Sequence, residues 1–205
     1  MNDLYQNIEE LKGDNEIGKD YQIRYQTKQS TILFKAIHGG GIEPGTSELA
    51  EYSAADRDSF YCFEGIRSSG NANLHITSVH FDEPQCLDLV AASSYTISYH
   101  GYSGGSEMNT IVGGLDYKLR AAIAEELLAA GFPAEEAIAA HQIGGSHPEN
   151  IVNKNQRGKG VQLEISYQQR LLLFERFTAP GRRETKNELF SKYVAAVLRA
   201  VDRFV

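Results

Sequence analysis

"TILFKAIHGGGIEPGTSELAEYSAADRDSFYCFEGI", Thr31–Ile66, reads as a strand–loop–helix–strand unit. The opening "TILFKAI" is a short apolar, β-rich run that stops at His38, and three glycines and a Pro-Gly pair then mark a loop. "SELAEYSAA" leaves that loop as a helix, with Thr46 or Ser47 as its cap. "DSFYCFEGI" is aromatic enough to return as a strand. Two strands joined through a helix run parallel, because the crossover carries the chain back to the edge it started from.

Outward from this unit the alternation continues. "YQIRYQT" before it alternates as a strand. After it, "LHITSVHF", "YTISYHGYSG", "NTIVGGLD" and "KGVQLEISYQ" read as strands. "EPQCLDLVAAS" is expected as a helix, and "LDYKLRAAIAEELLAAGF" is the clearest one, stopped by Gly131. "ETKNELFSKYVAAVLRAVDRFV" closes the chain as a long amphipathic helix. The expected fold is α/β: a single domain over residues 1–205, with a mixed but mostly parallel sheet flanked by helices. Residues 1–20 are expected as a helix or a loosely ordered lead-in.

Composition narrows the function classes. With 41% hydrophobic and 23% charged residues, the 205-residue chain has the make-up of a water-soluble globular domain. No window approaches the roughly 18 consecutive apolar residues of a membrane helix. The polar, acidic "MNDLYQNIEELKGDNEIGKDYQ" does not read as a secretory signal, so synthesis in the cytoplasm is expected. A net charge of −7 argues against non-specific nucleic-acid binding, which needs clustered Lys and Arg. Cys62 and Cys86 lack metal-ligand spacing and sit in apolar surroundings, so both are expected as buried thiols.

In open α/β sheets ligands gather at the carboxyl ends of strands. His38, His100 and Glu164 each fall at or near such an end. Hydrolytic zinc takes three His or carboxylate ligands and keeps a position for water. His38 and Glu43 share one loop whose glycines clear space for it to curl, and His100 would complete a His/Glu/His set for one Zn2+. From spacing alone, an unusual structural loop remains the competing reading. A phosphate cradle lacks its GxGxxG or GK[ST] signature, and a serine-esterase oxyanion hole lacks G-x-S-x-G.

Glu164 lies on an apolar strand whose alternation puts Gln162, Glu164 and Ser166 on one polar face. It is the candidate general base, with an exposed sheet face as the alternative. Among the other histidines, His80 suits a substrate-contacting role and His75 a structural one. His141 and His147, in "AHQIGGSHPEN", read as solvated, with lining the pocket as the alternative.

The blocks "AIHGGGIEPGTSE", "FEGIRSSGNANLHITSVHFDEP", "SYHGYSG" and "GKGVQLEIS", in that order over about residues 32 to 170, resemble the poly-γ-glutamate hydrolase family of phage and bacterial zinc proteins. That family is similar in fold to zinc carboxypeptidases and N-formylglutamate amidohydrolases. The resemblance implies that His38, Glu43 and His100 bind zinc and that Glu164 is the base. It implies hydrolysis of γ-glutamyl amide bonds in poly-γ-glutamate. Two departures stand out: four residues separate His38 from Glu43, more than in carboxypeptidases, and "YQQR" follows "LEIS" where a more basic, glycine-containing turn is expected.

A γ-linked polymer carries a free α-carboxylate on every residue, so guanidinium groups are expected in the pocket. Arg67 and Arg170 are the candidates, ahead of Arg157, and Tyr102 is placed to assist the oxyanion or position substrate. Two alternatives accompany this reading. One is an amidohydrolase of small N-acyl glutamates, and the other a non-enzymatic phage-associated binding module. A phage enzyme made in the cytoplasm would reach an outside polymer through host lysis.

Overall fold

The computed structural model describes residues 3–138, 141 and 143–205. The strands are β1 (Tyr21–Gln26), β2 (Ile32–Gly40), β3 (Ser59–Gly65), β4 (Tyr95–Tyr102), β5 (Thr110–Gly113), β6 (Ala134–Glu136) and β7 (Val161–Ser166). They form one sheet in the spatial order β1-β3-β2-β4-β7-β5-β6. The central strands β3, β2, β4 and β7 are parallel, while β1, β5 and β6 run the other way. The helices are α1 (Ile8–Asp14), α2 (Thr46–Ala54), α3 (Pro84–Ala92), α4 (Tyr117–Ala129), α5 (Tyr167–Leu171), α6 (Ala179–Glu184) and α7 (Glu188–Val201). The α/β fold with a mixed, mostly parallel sheet is therefore the one the alternation implies. Among the described residues no helix is long and apolar enough to cross a membrane.

Strand alternation divides the core in two. Phe34 and Ala36 of β2, Ile97 and Tyr99 of β4, and Val161, Leu163 and Ile165 of β7 pack against α2, α4 and α7. Leu33 and Ile37 of β2, with Tyr61 and Phe63 of β3, face the other way, against α1 and α3. This second cluster does not extend over β4 and β7. There the same sheet face carries Ser98 and His100, in register with Gln162 and Glu164. A polar strip on a buried sheet needs a functional or hydrogen-bonded purpose, and it forms the floor of a cleft.

One strand expectation changes. "LHITSVHF" is not a strand: Asn71–Leu74 is a 3-10 turn, and the chain then crosses the carboxyl ends of the sheet as irregular backbone. Its polar groups are met locally, with the Thr77 amide donating to Asp3 (2.6 Å) and Ser78 carbonyl accepting from the Ile151 amide (3.0 Å). Its alternation is genuine, since Leu74 and Ile76 are buried, but no neighbouring strand is available to pair with it. Of the two readings of the opening residues, the helix is the one observed, as α1, and Tyr5, Ile8 and Leu11 join the second core cluster. Cys62 and Cys86 are buried and free, as expected.

Candidate metal centre and its cleft

β2 and β4 are neighbours, and the chain leaves them for opposite halves of the sheet, so a crevice opens between their carboxyl ends. β2 holds register with β3 up to Ala36, slips by one residue, and resumes at Gly39. This bulge re-aims His38 at the strand's end. Beyond it Gly40 adopts φ +66°, and a Cβ there would lie 2.4 Å from the Gly65 carbonyl oxygen. Only glycine fits that close approach. The loop then closes on itself, the Glu43 amide donating to the His38 carbonyl (2.8 Å).

The result brings together the three expected ligands. His38 Nδ1 lies 3.1 Å from Glu43 Oε1 and 3.1 Å from His100 Nδ1, and His100 Nδ1 is 3.6 Å from Glu43 Oε2. Roughly 2.0–2.2 Å bonds in a tetrahedral site set ligand atoms about 3.3–3.6 Å apart, so the spacing suits one ion. The proton inventory agrees. His38 Nε2 donates to the Ile76 carbonyl (2.8 Å), which leaves Nδ1 of the neutral ring as a bare lone pair facing a carboxylate oxygen. Burial pushes the His100 pKa well below its ordinary range, aided by the neighbouring His38, which favours the neutral ring. Three atoms able to act as ligands then converge on one point. A cation is the ordinary resolution of such a cluster. The supporting bonds are of the kind that orient metal ligands: His100 Nε2 donating to Ser98 Oγ (2.8 Å), which keeps Nδ1 free, and the Gly101 amide donating to Glu43 Oε2 (2.9 Å).

His75 belongs to this site too, contrary to its structural assignment from sequence. Its ring lies 3.9 Å from that of His38, and its ligand atom falls within 4.8 Å of those of His38 and Glu43. Asp3 Oδ1 accepts from its Nδ1 (2.6 Å), so Nε2 is the bare nitrogen. Burial lowers the His75 pKa, which favours the neutral ring. His75 was hidden in the sequence because a strand would have turned it and His80 to opposite faces. The irregular crossing puts His75 in the cleft and leaves His80 exposed outside it.

Glu164 is Cα partner of His100 across β4 and β7 and is buried on the cleft floor. Burial raises its pKa well above the usual carboxylate range, and the Glu43 charge pushes the same way. Gln162 Nε2 donates to its Oε1 (2.7 Å), which leaves Oε2 for chemistry. A carboxyl held high in pKa beside a metal-competent cluster suits proton transfer in both directions.

The cleft has a volume of about 630 Å³. Of the four side chains expected to contact substrate, only Tyr102 lines it among the described residues. Arg67 is committed elsewhere, to Asp20 (2.7 Å) and Asn15. Arg170 is buried and donates to the carbonyls of Ile165 (3.0 Å), Pro44 (2.6 Å) and Tyr102 (3.2 Å). It clamps the ligand loop to the ends of β4 and β7. A Cβ on Gly101 would meet its guanidinium carbon at 2.4 Å, so glycine is what admits the clamp. Residues whose role the sequence left open, Asn150 and Gln162 and the loop 143–147, complete the wall.

The chain has well-matched relatives. It is 44% identical to the SPbeta prophage-derived UPF0714 protein YoqZ of Bacillus subtilis (strain 168), over 99% of this chain and 73% of that one. It is 43% identical to UPF0714 protein YndL of the same organism, over 96% of this chain and 77% of YndL. A solved YndL structure, in a zinc-free apo form, superposes with a TM-score of 0.95 at 40% identity and covers 100% of both chains. A solved bacteriophage poly-gamma-glutamate hydrolase superposes with a TM-score of 0.94 at 36% identity, covering 99% of this chain and 98% of that one. The family description Poly-gamma-glutamate hydrolase matches residues 5–196, and the chain belongs to that family.

Proposed function

We propose that the protein is a zinc-dependent hydrolase of γ-glutamyl amide bonds in poly-γ-glutamate, with His38, Glu43 and His100 as zinc ligands and Glu164 as general base. The observation that carries this reading is the convergence of three atoms able to act as ligands on one point, with a buried, high-pKa carboxyl on the adjacent strand. Zinc in such a set supplies a water of lowered pKa and polarises the scissile carbonyl.

The remaining work falls to side chains. Glu164 accepts the proton of the attacking water at Oε2 and delivers it to the nitrogen of the departing amine. Gln162 holds the other carboxyl oxygen so that one lone pair stays aimed. Tyr102, at the end of β4 on the cleft wall, is placed to donate to the developing oxyanion. Ser98 and the Ile76 carbonyl keep the two imidazoles from rotating.

The test is polymer size by gel filtration after incubation with poly-γ-glutamate, using zinc-loaded, chelated and Glu164→Gln protein in parallel. A rapid size drop that chelation abolishes is expected, slowed about 10²–10⁴-fold in the Glu164→Gln variant. Intact polymer from folded, zinc-loaded protein overturns the proposal.

A further inference from the structure

The proposed substrate is a polyanion, yet among the described residues no arginine or lysine lines the cleft. Its floor carries the carboxylates Glu43 and Glu164, and the protein's net charge is −7. Something other than a guanidinium must meet the α-carboxylates beside the scissile bond. Five of the chain's six histidines line this one cleft, and two of them, His141 and His147, stand apart from the metal cluster on the 141–147 wall.

On that wall each histidine ring accepts from the backbone, and several carbonyls are spent on the protein body. The Ile138 amide donates to His141 Nδ1 (3.2 Å), and the Glu149 amide donates to His147 Nδ1 (3.1 Å). A ring nitrogen that accepts carries no proton, so in each neutral ring the proton is on Nε2. Among the described residues neither Nε2 has a hydrogen-bond partner, and both rings border the cleft. Four backbone carbonyls of this stretch are taken by the protein body. The Gly144 carbonyl accepts from the Gly114 amide (2.8 Å), that of Ile143 from Gln162 Nε2 (3.2 Å), and those of Gly145 and His147 from Asn153 Nδ2 (2.9 and 3.0 Å). With these four acceptors occupied, the two ring N–H groups are the donors the wall offers an anion. Gly145 is fitted to this arrangement. It takes φ +62°, and a Cβ would lie 2.8 Å from that of Gln162.

We propose that His141 and His147 form a carboxylate subsite that holds the free α-carboxylates of a γ-linked glutamyl chain and sets the specificity of the cleft. This rests on the hydrolase reading above and adds to it the group that recognises the substrate's charge. Each Nε2–H donates to a carboxylate oxygen, so recognition needs no change in protonation. A polymer whose α-carboxylates are capped presents a poorer partner.

The experiment uses the full-length, zinc-loaded chain. Binding of a γ-glutamyl oligomer is measured by calorimetry on the non-hydrolysing Glu164→Gln background, with and without His141→Ala and His147→Ala together. Hydrolysis of poly-γ-glutamate, and of its α-methyl ester, is measured on the otherwise wild-type chain. The expected result is binding weakened about tenfold to hundredfold, with KM raised to match and kcat held within about threefold. Zinc stoichiometry stays unchanged, and the ester shows no difference between the parent and the double variant. His147→Gln, which keeps a side-chain N–H, recovers part of the lost affinity and guards against misfolding of the double variant. Cleavage and oligomer binding that both survive the double substitution overturn the subsite alone. A wild-type chain that leaves the polymer intact, with no oligomer bound by Glu164→Gln, overturns the hydrolase reading and the subsite with it.

Discussion

A histidine that finishes an apolar strand can be kept by packing, by a hydrogen bond or by a ligand, and His38 makes the second while keeping a ring nitrogen open to the third. Its Nε2 is spent on a backbone carbonyl, so its whole chemical capacity is presented through Nδ1. His100 and His75 both approach that nitrogen, by different routes: His100 along β4, with Nε2 on Ser98, and His75 from a loop, with Nδ1 on Asp3. The shorter, mutually consistent spacings favour His100 as ligand and leave His75 to accompany it. His100→Ala is therefore expected to lose zinc from the purified protein and weaken affinity at least tenfold. His75→Ala is expected to keep close to one zinc per chain. Atomic absorption on the two variants after dialysis decides, and equal loss in both would make His75 a ligand in its own right. Of the four residues assigned here to zinc and proton transfer, His38, His100 and Glu164 stood out because each interrupts or ends an apolar strand, and Glu43 because it shares the glycine loop that follows His38. Arginines are harder to read. Arg67 and Arg170 have the right chemistry for a carboxylate, but their acidic and carbonyl partners lie far along the chain and only the fold reveals them.

At the scale of elements, the site depends on three strand ends held level. The bulge in β2 turns His38, and the parallel register sets His100 beside Glu164. Arg170, from α5, locks Pro44 of the ligand loop to Ile165 and Tyr102. Methionine at position 170 fills similar space and leaves those buried carbonyls without donors. Arg170→Met is expected to cost about 3 kcal/mol or more and to weaken zinc binding, although it touches no ligand atom. Chemical denaturation and zinc competition measured together check this, and a destabilised variant with unaltered zinc affinity would refute the clamp. Strands β2, β3, β4 and β7 could be anticipated because buried parallel strands read as apolar runs. The stretch 74–81 misled for a related reason: burial of Leu74 and Ile76 imprints alternation even where the backbone has no pairing partner. The short α5 and α6 and the 3-10 turn Ile151–Asn153 carry too few residues for a period to show.

The whole molecule places its costs on one face of the sheet. Lys35 of β2 shares that face with the second core cluster, has no exposed surface, and among the described residues its Nζ has no hydrogen-bond partner. Burial pushes its pKa down to about 8, while Cys86 nearby is pushed up to about 12 and so provides no thiolate to balance the ammonium. The unfolded chain binds this proton up to its ordinary pKa near 10.4. Between about 8 and that value the unfolded state therefore holds more protons than the folded one, and stability rises with pH. Below about pH 8 the penalty applies in full, of the order of 3 kcal/mol. Lys35→Met is expected to raise Tm by about 5–10 °C at pH 7 and by much less at pH 10. Thermal unfolding of both proteins at the two pH values tests it, and equal gains at both would show that burial of the charge is not the cause.

Asp3 gives the opening of the chain an unexpected position. One carboxylate, reached before the first helix begins, receives both His75 and the Thr77 amide, and so builds part of the cleft rim. The loop that carries His75 is thereby pinned by a residue 72 positions earlier, so losing Asp3 would loosen the cleft wall rather than an idle tail.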